Sequence, residues 1–399
     1  MHESTSESIP SQLTFSERVS RLPRVVSKWT RDLVDEAKAQ GTDVLPLYGV
    51  PYWAPPAHVL EVAAEAALEP TAANSQGTLA VRTAMSKKLE RDQGVRADPN
   101  NILVTNAAMH ALNLLFVTLL EPGDEVLTFS PSFFYFGAIE LAGGRPVYAR
   151  TKQENGWKWD MQELEQAISP RTKVLLINSP SNPVGYVATR DDLEAIADLA
   201  KRHKLLVISD EAYDSMVYDD ARHSSFASLS GVEDIAITVY SMTKSYAMGA
   251  WRLGFIVAPP ALIEQLRKLL EWNVLTCNHV AQRVAQAALE GPQDWVREIA
   301  TRFQRGRDLM VAGLQDAEGL SFVTPKGAPF IFLNSSSLGV SGDDFFHRLL
   351  SRHGVPSDPG SYFGSSDHIR LEFGGENSVV VEAAARIRVA ASECLARRT

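Results

Sequence analysis

Lys244 is the residue of this sequence best placed to do covalent chemistry. It follows a run of apolar and β-branched residues at 235–240, which predicts a buried strand. The strand would deliver the hydroxyl of Ser241, the lysine and, eight residues on, Arg252 into one small region. A desolvated lysine beside another cation loses its proton easily, and the neutral amine attacks carbonyls to form Schiff bases. The Ser-x-x-Lys spacing alone is more typical of an ordinary solvated lysine at a strand end.

Two further polar groups follow predicted strands. Asp210 comes directly after a strand predicted at 205–208, where a buried carboxylate is costly unless it meets a cation such as a protonated pyridine nitrogen. Capping of the next helix is the alternative role for this aspartate. Asn182 lies in a loop after the strand predicted at 174–177, and two prolines in that loop would present its amide in a fixed direction.

The elements that position these groups alternate between strands and helices. From about residue 72 to 260, short apolar runs are followed by amphipathic helices, one of them opened by a capping box at Thr189 and Asp192. This rhythm predicts an α/β fold with a mainly parallel sheet covered by helices, whose ligands lie beyond the carboxyl ends of the strands. After about residue 290 the pattern changes to a long helix, irregular strands and a terminal helix, which predicts a smaller α+β domain.

A length of 399 residues favours two domains over one. We expect a disordered N-terminus at 1–14 and an N-terminal arm at 15–60 that contributes to the smaller domain. The large domain would cover 61–290 and the small C-terminal domain 291–399.

Composition excludes several classes of protein. A net charge of −9, without a local cluster of lysine and arginine, argues against a nucleic-acid-binding surface. No apolar run approaches the roughly 18 residues of a membrane helix, and the polar N-terminus does not resemble a signal peptide. Two cysteines fit a reducing cytoplasm, and the nine histidines lack a metal-binding spacing, so we expect no metal site.

Several motifs occur in a fixed order along the chain. They are Asn182-Pro183-Val184-Gly185, Asp210 with Tyr213, Ser241 with Lys244 and Arg252, the segments 324–329 and 359–364, and Arg370. Together they resemble the class I/II aminotransferases, the fold-type-I pyridoxal-phosphate enzymes that include aspartate and kynurenine aminotransferases. The resemblance extends from about Leu45 to the C-terminal helix.

The resemblance implies a role for each matching residue. Lys244 would hold pyridoxal 5′-phosphate as a Schiff base and shuttle protons, while Asp210 would keep the pyridine nitrogen protonated. Tyr213 and Asn182 would hydrogen-bond the ring hydroxyl, and Phe133 would stack on the ring. The phosphate-binding groups would be Arg252, Ser241 and the backbone N–H groups of the helix that begins near Ala108 and Met109.

At the substrate end, Arg370 would clamp the α-carboxylate, with Asn182 beside it and Gly49 leaving room. Without a resemblance, Gly49 is equally typical of a simple turn. Two departures concern the phosphate: Ala72 stands where the family usually has a tyrosine, and Met109 where hydroxyl side chains are common. Asn74, Ser75 or Asn106 could substitute, or the cofactor is held less tightly.

The resemblance predicts an aminotransferase that moves the amino group of an L-amino acid to a 2-oxo acid by a ping-pong mechanism. We expect a homodimer with its sites at the interface. No second arginine for a distal carboxylate is identified, which favours aromatic or neutral substrates over dicarboxylic ones. Elimination, cyclisation or oxidation of an amino acid on the same fold is the alternative. A non-catalytic regulator is disfavoured, because about 45 residues before Leu45 are too few for a helix-turn-helix domain.

Overall fold

Two β-sheets organise the computed structural model, which describes residues 14–47, 49–50, 53–69 and 73–397. The larger has seven strands in the spatial order β1-β7-β6-β5-β4-β2-β3, and the smaller has the order β8-β10-β9. The strands are β1 (Ile102–Thr105), β2 (Glu125–Ser130), β3 (Arg145–Arg150), β4 (Thr172–Asn178), β5 (Leu206–Asp210), β6 (Ala236–Ser241), β7 (Gly254–Val257), β8 (Phe330–Asn334), β9 (Asp358–Pro359) and β10 (His368–Glu372).

The seven-stranded sheet is parallel except for β7. Strands β3, β2, β4, β5 and β6 pair in parallel, whereas β7 runs antiparallel to both β6 and β1. The inner strands are apolar and buried because helices cover both faces of such a sheet. The predicted α/β fold is therefore confirmed, including the smaller α+β part, although β3 and the antiparallel β7 were not predicted from the sequence.

Fourteen α-helices accompany these strands within the described residues. They are α1 (Glu17–Ser20), α2 (Val26–Ala39), α3 (Ala57–Ala66), α4 (Leu79–Gln93), α5 (Ala107–Leu119), α6 (Phe136–Leu141), α7 (Met161–Gln166), α8 (Arg190–His203), α9 (Met242–Ser245), α10 (Pro260–Val274), α11 (His279–Glu290), α12 (Asp294–Leu314), α13 (Gly342–His353) and α14 (Asn377–Ala396). The predicted capping box is present: Thr189 accepts from the backbone of Asp192, whose carboxylate accepts the Thr189 N–H.

The apolar core divides into separate clusters. The largest packs α4, α5, α10 and α11 against the seven-stranded sheet. A second joins α12, α14 and β8 to Tyr213, Tyr218 and Leu47, so the small sheet has a core of its own. The proposed domain boundaries stay a prediction, and the expected disorder of the N-terminus falls largely on residues 1–13, outside the described residues. No described helix is both long and apolar enough to cross a membrane.

Candidate active site

Lys244 lies at the carboxyl end of β6, within the four-residue helix α9. Ser241 is the N-cap of this helix, and its hydroxyl accepts the backbone N–H of Thr243 at 3.2 Å. The Lys244 Nζ donates to the backbone carbonyl of Gly49 at 3.2 Å and lies 5.3 Å from the centre of the Tyr213 ring. The strand and its cap therefore point the amine into the space between the two sheets.

The surroundings of Lys244 favour a neutral amine. Burial lowers the pKa of Lys244 to about 8; Glu372 opposes this shift, while Arg370 and Arg252 add to it. A lysine with this pKa is neutral in roughly a tenth of the molecules at pH 7, far more often than an ordinary surface lysine. It can act both as a nucleophile and as an acceptor of a proton.

Asp210 is the last residue of β5 and is buried beside the strand that carries Lys244. One carboxylate oxygen accepts the hydroxyl of Tyr135 at 2.8 Å, and the other accepts the backbone N–H of Ala212 at 3.1 Å. Burial nevertheless raises the pKa of Asp210 to about 6, because these two hydrogen bonds only partly offset the loss of water. This carboxylate would be stabilised by a cation placed next to it.

Asn182 joins the two sides of the site. Its side-chain N–H donates to the Tyr213 hydroxyl at 3.4 Å, and its side-chain oxygen accepts from Arg370 Nη1 at 2.8 Å. All three side chains are almost fully buried. The loop after β4 thus connects a residue following β5 with a residue of β10.

Arg370 is held by a second carboxylate and by two aromatic rings. Its Nε and Nη2 donate to Oδ2 of Asp358, which lies opposite it on β9 and accepts the Thr30 hydroxyl on its other oxygen. The guanidinium stacks on Phe330 and Phe363, 4.2 and 4.6 Å from the ring centres. Burial alone would lower the pKa of Arg370, but Asp358 and Glu372 outweigh it and keep the arginine charged.

Gly49 approaches this cluster too closely for a side chain. A Cβ built on it would lie 2.2 Å from Oε1 of Glu372 and 3.0 Å from the Phe330 ring. The Gly49 N–H donates a hydrogen bond to the carboxylate of Glu372, while the Gly49 carbonyl accepts one from Lys244 Nζ. The sequence left open a simple turn or a close approach at this glycine, and the contacts identify a close approach.

Arg252, Ser241 and the start of α5 lie at the opposite end of the site. Gly254 pairs with both Ser241 and Thr105, and a Cβ there would lie 2.7 Å from the Tyr240 carbonyl and 2.9 Å from Ala107. The glycine therefore lets the first turn of α5, which includes the partly exposed Ala108 and Met109, come close to Ser241. Arg252 is exposed, and its charge contributes to lowering the pKa of Lys244.

Two of the three suggested replacements for a phosphate-binding tyrosine, Ser75 and Asn74, have other partners. Ser75 donates to Glu271 at 2.6 Å and accepts from Arg267, and the Asn74 side chain accepts the backbone N–H of Gln76. Ala72 itself lies outside the described residues. Phe133 is partly exposed, with its ring centre 3.8 Å from that of Phe134.

The arrangement matches a known family over most of the chain. The family model for aminotransferase class I and II matches residues 49–387. The chain belongs to this aminotransferase family. It is 33% identical to an aspartate aminotransferase of Geobacillus stearothermophilus, covering 94% of this chain and 98% of the relative. It is 35% identical to aromatic-amino-acid aminotransferase 2 of Thermococcus litoralis, covering 88% and 92%.

Solved structures agree with this assignment. The aspartate aminotransferase of Thermus thermophilus, determined with maleate, superposes with a TM-score of 0.91 at 30% identity, covering 95% of this chain and all of that one. The protein is an aminotransferase, as the sequence predicted, and the alternative outcomes of elimination, cyclisation or oxidation are not favoured.

Sequence reasoning missed three residues of the candidate site. Tyr135 lies in the same aromatic loop as Phe133 but was not assigned to Asp210. Glu372 follows Arg370 by two residues, a spacing that places both side chains on one face of a strand and could have revealed it. Asp358 had no local signal, because its contact with Arg370 depends on the pairing of β9 with β10.

Proposed function

We propose that this aminotransferase uses pyridoxal 5′-phosphate, held covalently by Lys244 and positioned by the residues around it. The observation that carries this proposal is the position of a partly exposed lysine of lowered pKa near both the buried carboxylate of Asp210 and the α-carboxylate-binding candidate Arg370. Asp210 fits a protonated pyridine nitrogen, since its raised pKa reflects the absence of a neighbouring cation strong enough to offset burial. The close approach allowed by Gly254 supports a phosphate between α5, Ser241 and Arg252.

Each remaining residue has a role that follows from its contacts. Asn182 and Tyr213 form a hydrogen-bonded pair that would orient the ring hydroxyl, and Phe133 presents a partly exposed ring for stacking. Arg370 would bind the α-carboxylate of the substrate through its remaining N–H groups, with Gly49 giving access. When bound, pyridoxal phosphate supplies an electron-withdrawing ring that makes the α C–H bond of the amino acid acidic.

Lys244 is the group that moves this proton. Once the substrate amine has displaced it, its neutral Nζ would take the proton from the substrate α-carbon and return it to the cofactor side. Asp210 would hold a proton at the pyridine nitrogen throughout, because its carboxylate is fixed by Tyr135 and Ala212. The reaction then divides into two half-reactions, one for the L-amino acid and one for the 2-oxo acid.

The side chain of the preferred amino-acid substrate is a further part of the proposed function. We identify no second arginine that would bind the distal carboxylate of a dicarboxylic substrate. We therefore expect the site to favour aromatic or neutral amino acids. The relatives include an enzyme named for aromatic amino acids as well as several named for aspartate. Initial rates with phenylalanine, leucine and aspartate at equal 2-oxoglutarate would rank the three, and a preference for aspartate would contradict this part.

We also propose a cytoplasmic homodimer. Trp272, Leu275 and Leu68 are large apolar side chains with 92, 75 and 86% of their surface exposed, and Thr276 contacts the segment at 73–74. Such exposure favours a partner surface. Both cysteines are free and buried, which suits a reducing compartment. Sedimentation analysis of the wild type and of Trp272→Glu tests the dimer, since the variant should shift toward monomer.

The visible spectrum of the purified protein tests the central proposal. Titration with one amino acid, without an oxo acid, should bleach the absorbance of the lysine-bound cofactor and release one equivalent of 2-oxo acid per site. Addition of a different 2-oxo acid should restore the band. Release of oxo acid that continues without an acceptor would contradict transamination and point to oxidation or elimination.

A further inference from the structure

Glu372 is a carboxylate of the site to which the aminotransferase reaction assigns no task. It lies two residues after Arg370 on β10, so both side chains leave the same face of the strand. Its Oε1 is 3.9 Å from Nη2 of Arg370, which is within ion-pair range but too long for a hydrogen bond. The side chain is 31% exposed, so solvent and ligands can reach it.

The other contacts of Arg370 direct an incoming carboxylate toward Glu372. Nε and Nη2 each donate to Asp358, and Nη1 donates to Asn182. A guanidinium has five N–H groups, so one on Nη1 and one on Nη2 remain for a ligand. A carboxylate that binds this remaining pair therefore contacts Nη2, the nitrogen that lies 3.9 Å from Oε1 of Glu372.

Three charged groups on three elements, and one backbone N–H, surround Glu372. Arg370 is on its own strand, Asp358 on β9 and Lys244 on α9, while the Gly49 N–H donates from the N-terminal segment. Tyr213, after β5, also faces this carboxylate. Burial raises the pKa of Glu372; Arg370 and Lys244 oppose the shift and Asp358 adds to it. An arriving carboxylate adds a third negative charge, and a Lys244 bound to cofactor no longer offers a free ammonium.

We propose that Glu372 belongs to the α-carboxylate site and takes up one proton from solvent when a carboxylate docks on Arg370. This inference rests on the proposed role of Arg370. The proton binds to a carboxylate oxygen of Glu372, and no other bond forms or breaks. Protonation removes the like-charge repulsion between Glu372 and the ligand, and the carboxylic acid keeps an oxygen that accepts the Gly49 N–H. The site therefore binds a carboxylate and a proton together.

The test measures proton uptake by the holoenzyme when it binds 3-phenylpropanoate, a carboxylate without an amino group. Calorimetric titrations in two buffers with different protonation enthalpies, from pH 6 to 9, give the number of protons taken up. In the wild type, uptake should rise toward one proton per ligand, and the Kd should increase about tenfold per pH unit above the pKa of Glu372. In Glu372→Gln, which keeps an acceptor for Gly49, uptake should disappear and the Kd should become flat with pH.

Four controls make the result decisive. Glu318→Gln, at an exposed position, should behave as the wild type. The melting temperature of each variant checks folding, and Glu372→Ala should reproduce Glu372→Gln. The absorbance of the bound cofactor follows protonation at Lys244 separately from Glu372.

Other outcomes would overturn the inference. Equal proton uptake in the wild type and Glu372→Gln, accompanied by the same change in cofactor absorbance, would place the proton at Lys244. Binding without proton uptake in the wild type would show that Glu372 keeps its charge beside the ligand. Failure of 3-phenylpropanoate to bind either protein while transamination is intact would instead contradict the proposed role of Arg370.

Discussion

The two ends of the site are built in different ways. Asp210 ends a central strand of the seven-stranded sheet, and both of its oxygens accept hydrogen bonds from fixed neutral donors. Arg370, on the central strand of the small sheet, is held by charged and amide side chains, with a second carboxylate nearby. The Asp210 end is therefore set by the rigid fold, whereas the Arg370 end depends on a balance of charges that a ligand can change.

The same physical cause acts differently at the two ends. Burial raises the pKa of Asp210 and of Glu372. At Asp210 the main opposing effects are two hydrogen bonds from fixed neutral donors, with a smaller contribution from the charge of Lys244, so the carboxylate remains available for one cation. At Glu372 the opposing groups are Arg370 and Lys244, both of which change partners during the proposed reaction. The fixed carboxylate of Asp210 suits a cofactor that stays bound. The carboxylate of Glu372, whose charge can change, suits a substrate that binds and dissociates in each cycle.

Lys244→Ala should have the largest effect, because this residue lies between the two ends. Removal of the amine takes away the proposed nucleophile and proton carrier, so turnover should fall by about 10³-fold or more. The absorbance of the lysine-bound cofactor should also be lost, as measured by visible spectroscopy and single-turnover assays. The exposed Lys158→Ala is the control. Turnover close to the wild type in Lys244→Ala would contradict the assignment of the central residue.

Asp210→Asn should lower the activity but raise the stability of the cofactor-free protein. Turnover should fall by about 10²-fold or more, since the amide cannot stabilise a protonated pyridine nitrogen. The cofactor-free protein should become more stable, because the folded pKa of about 6 exceeds the ordinary value of 3.8 and ionisation therefore costs stability. This cost develops as pH rises from about 4 to 6 and amounts to roughly 3 kcal/mol.

Denaturant unfolding of the cofactor-free proteins at pH 4 and pH 7 checks this second effect. The amide can accept from Ala212 and donate to Tyr135, so the hydrogen bonds of the site remain satisfied. The stabilisation should be present at pH 7 and should vanish near pH 4. A difference in unfolding free energy that does not change with pH would contradict the burial argument for Asp210.

Arg370→Ala should raise the KM for amino acids by about 10- to 100-fold, from the loss of a charged hydrogen-bonding partner. It should also destabilise the fold by about 3 kcal/mol or more, because Asp358 is left buried without its cation. The double variant Arg370→Ala with Asp358→Asn should recover most of the stability but not the KM. Steady-state kinetics and thermal unfolding distinguish the two effects. An unchanged KM in the single variant would place the carboxylate clamp elsewhere.

Local sequence signals predicted the Asp210 end better than the Arg370 end. The strands at 174–177, 205–208 and 235–240 are strongly apolar, so the groups that follow them could be placed at one edge of a parallel sheet. The short strand β9 and its pairing with β10 leave no such pattern, since they depend on contacts formed only after folding. Asp358 was missed for this reason.

Two other features of the structure, the strand β7 and the contact of Tyr135 with Asp210, were missed because they also depend on tertiary contacts. The antiparallel β7 was not predicted because a four-residue apolar strand carries no signal of its direction. Tyr135 looked like one more member of an aromatic loop, and only the packing of this loop against β5 brings its hydroxyl to Asp210. Glu372, by contrast, was within reach of the alternation of side chains along a strand.

Gly49→Ala should have the smallest effect and sharpens the comparison most, because the nearest neighbours of the added methyl, Glu372 and Phe330, both lie at the Arg370 end. The added methyl would lie 2.2 Å from Oε1 of Glu372, so the glutamate must move away from the Gly49 N–H. We expect the KM for amino acids to rise by a few-fold up to about tenfold, with little change in the absorbance of the bound cofactor.

A double-mutant cycle with Glu372→Ala tests whether this glutamate causes the effect. Since the clash is with the end of a flexible side chain, its removal should relieve most of the cost, giving a coupling free energy of about 0.5 kcal/mol or more. Gly137→Ala, whose added methyl would lie 3.8 Å from the Leu22 side chain in an ordinary van der Waals contact, is the matched control. Gly49→Ala could instead raise the KM equally with and without Glu372. Gly49 and Glu372 would then act independently, and the clash of the added methyl with the Phe330 ring, at 3.0 Å, would explain the effect.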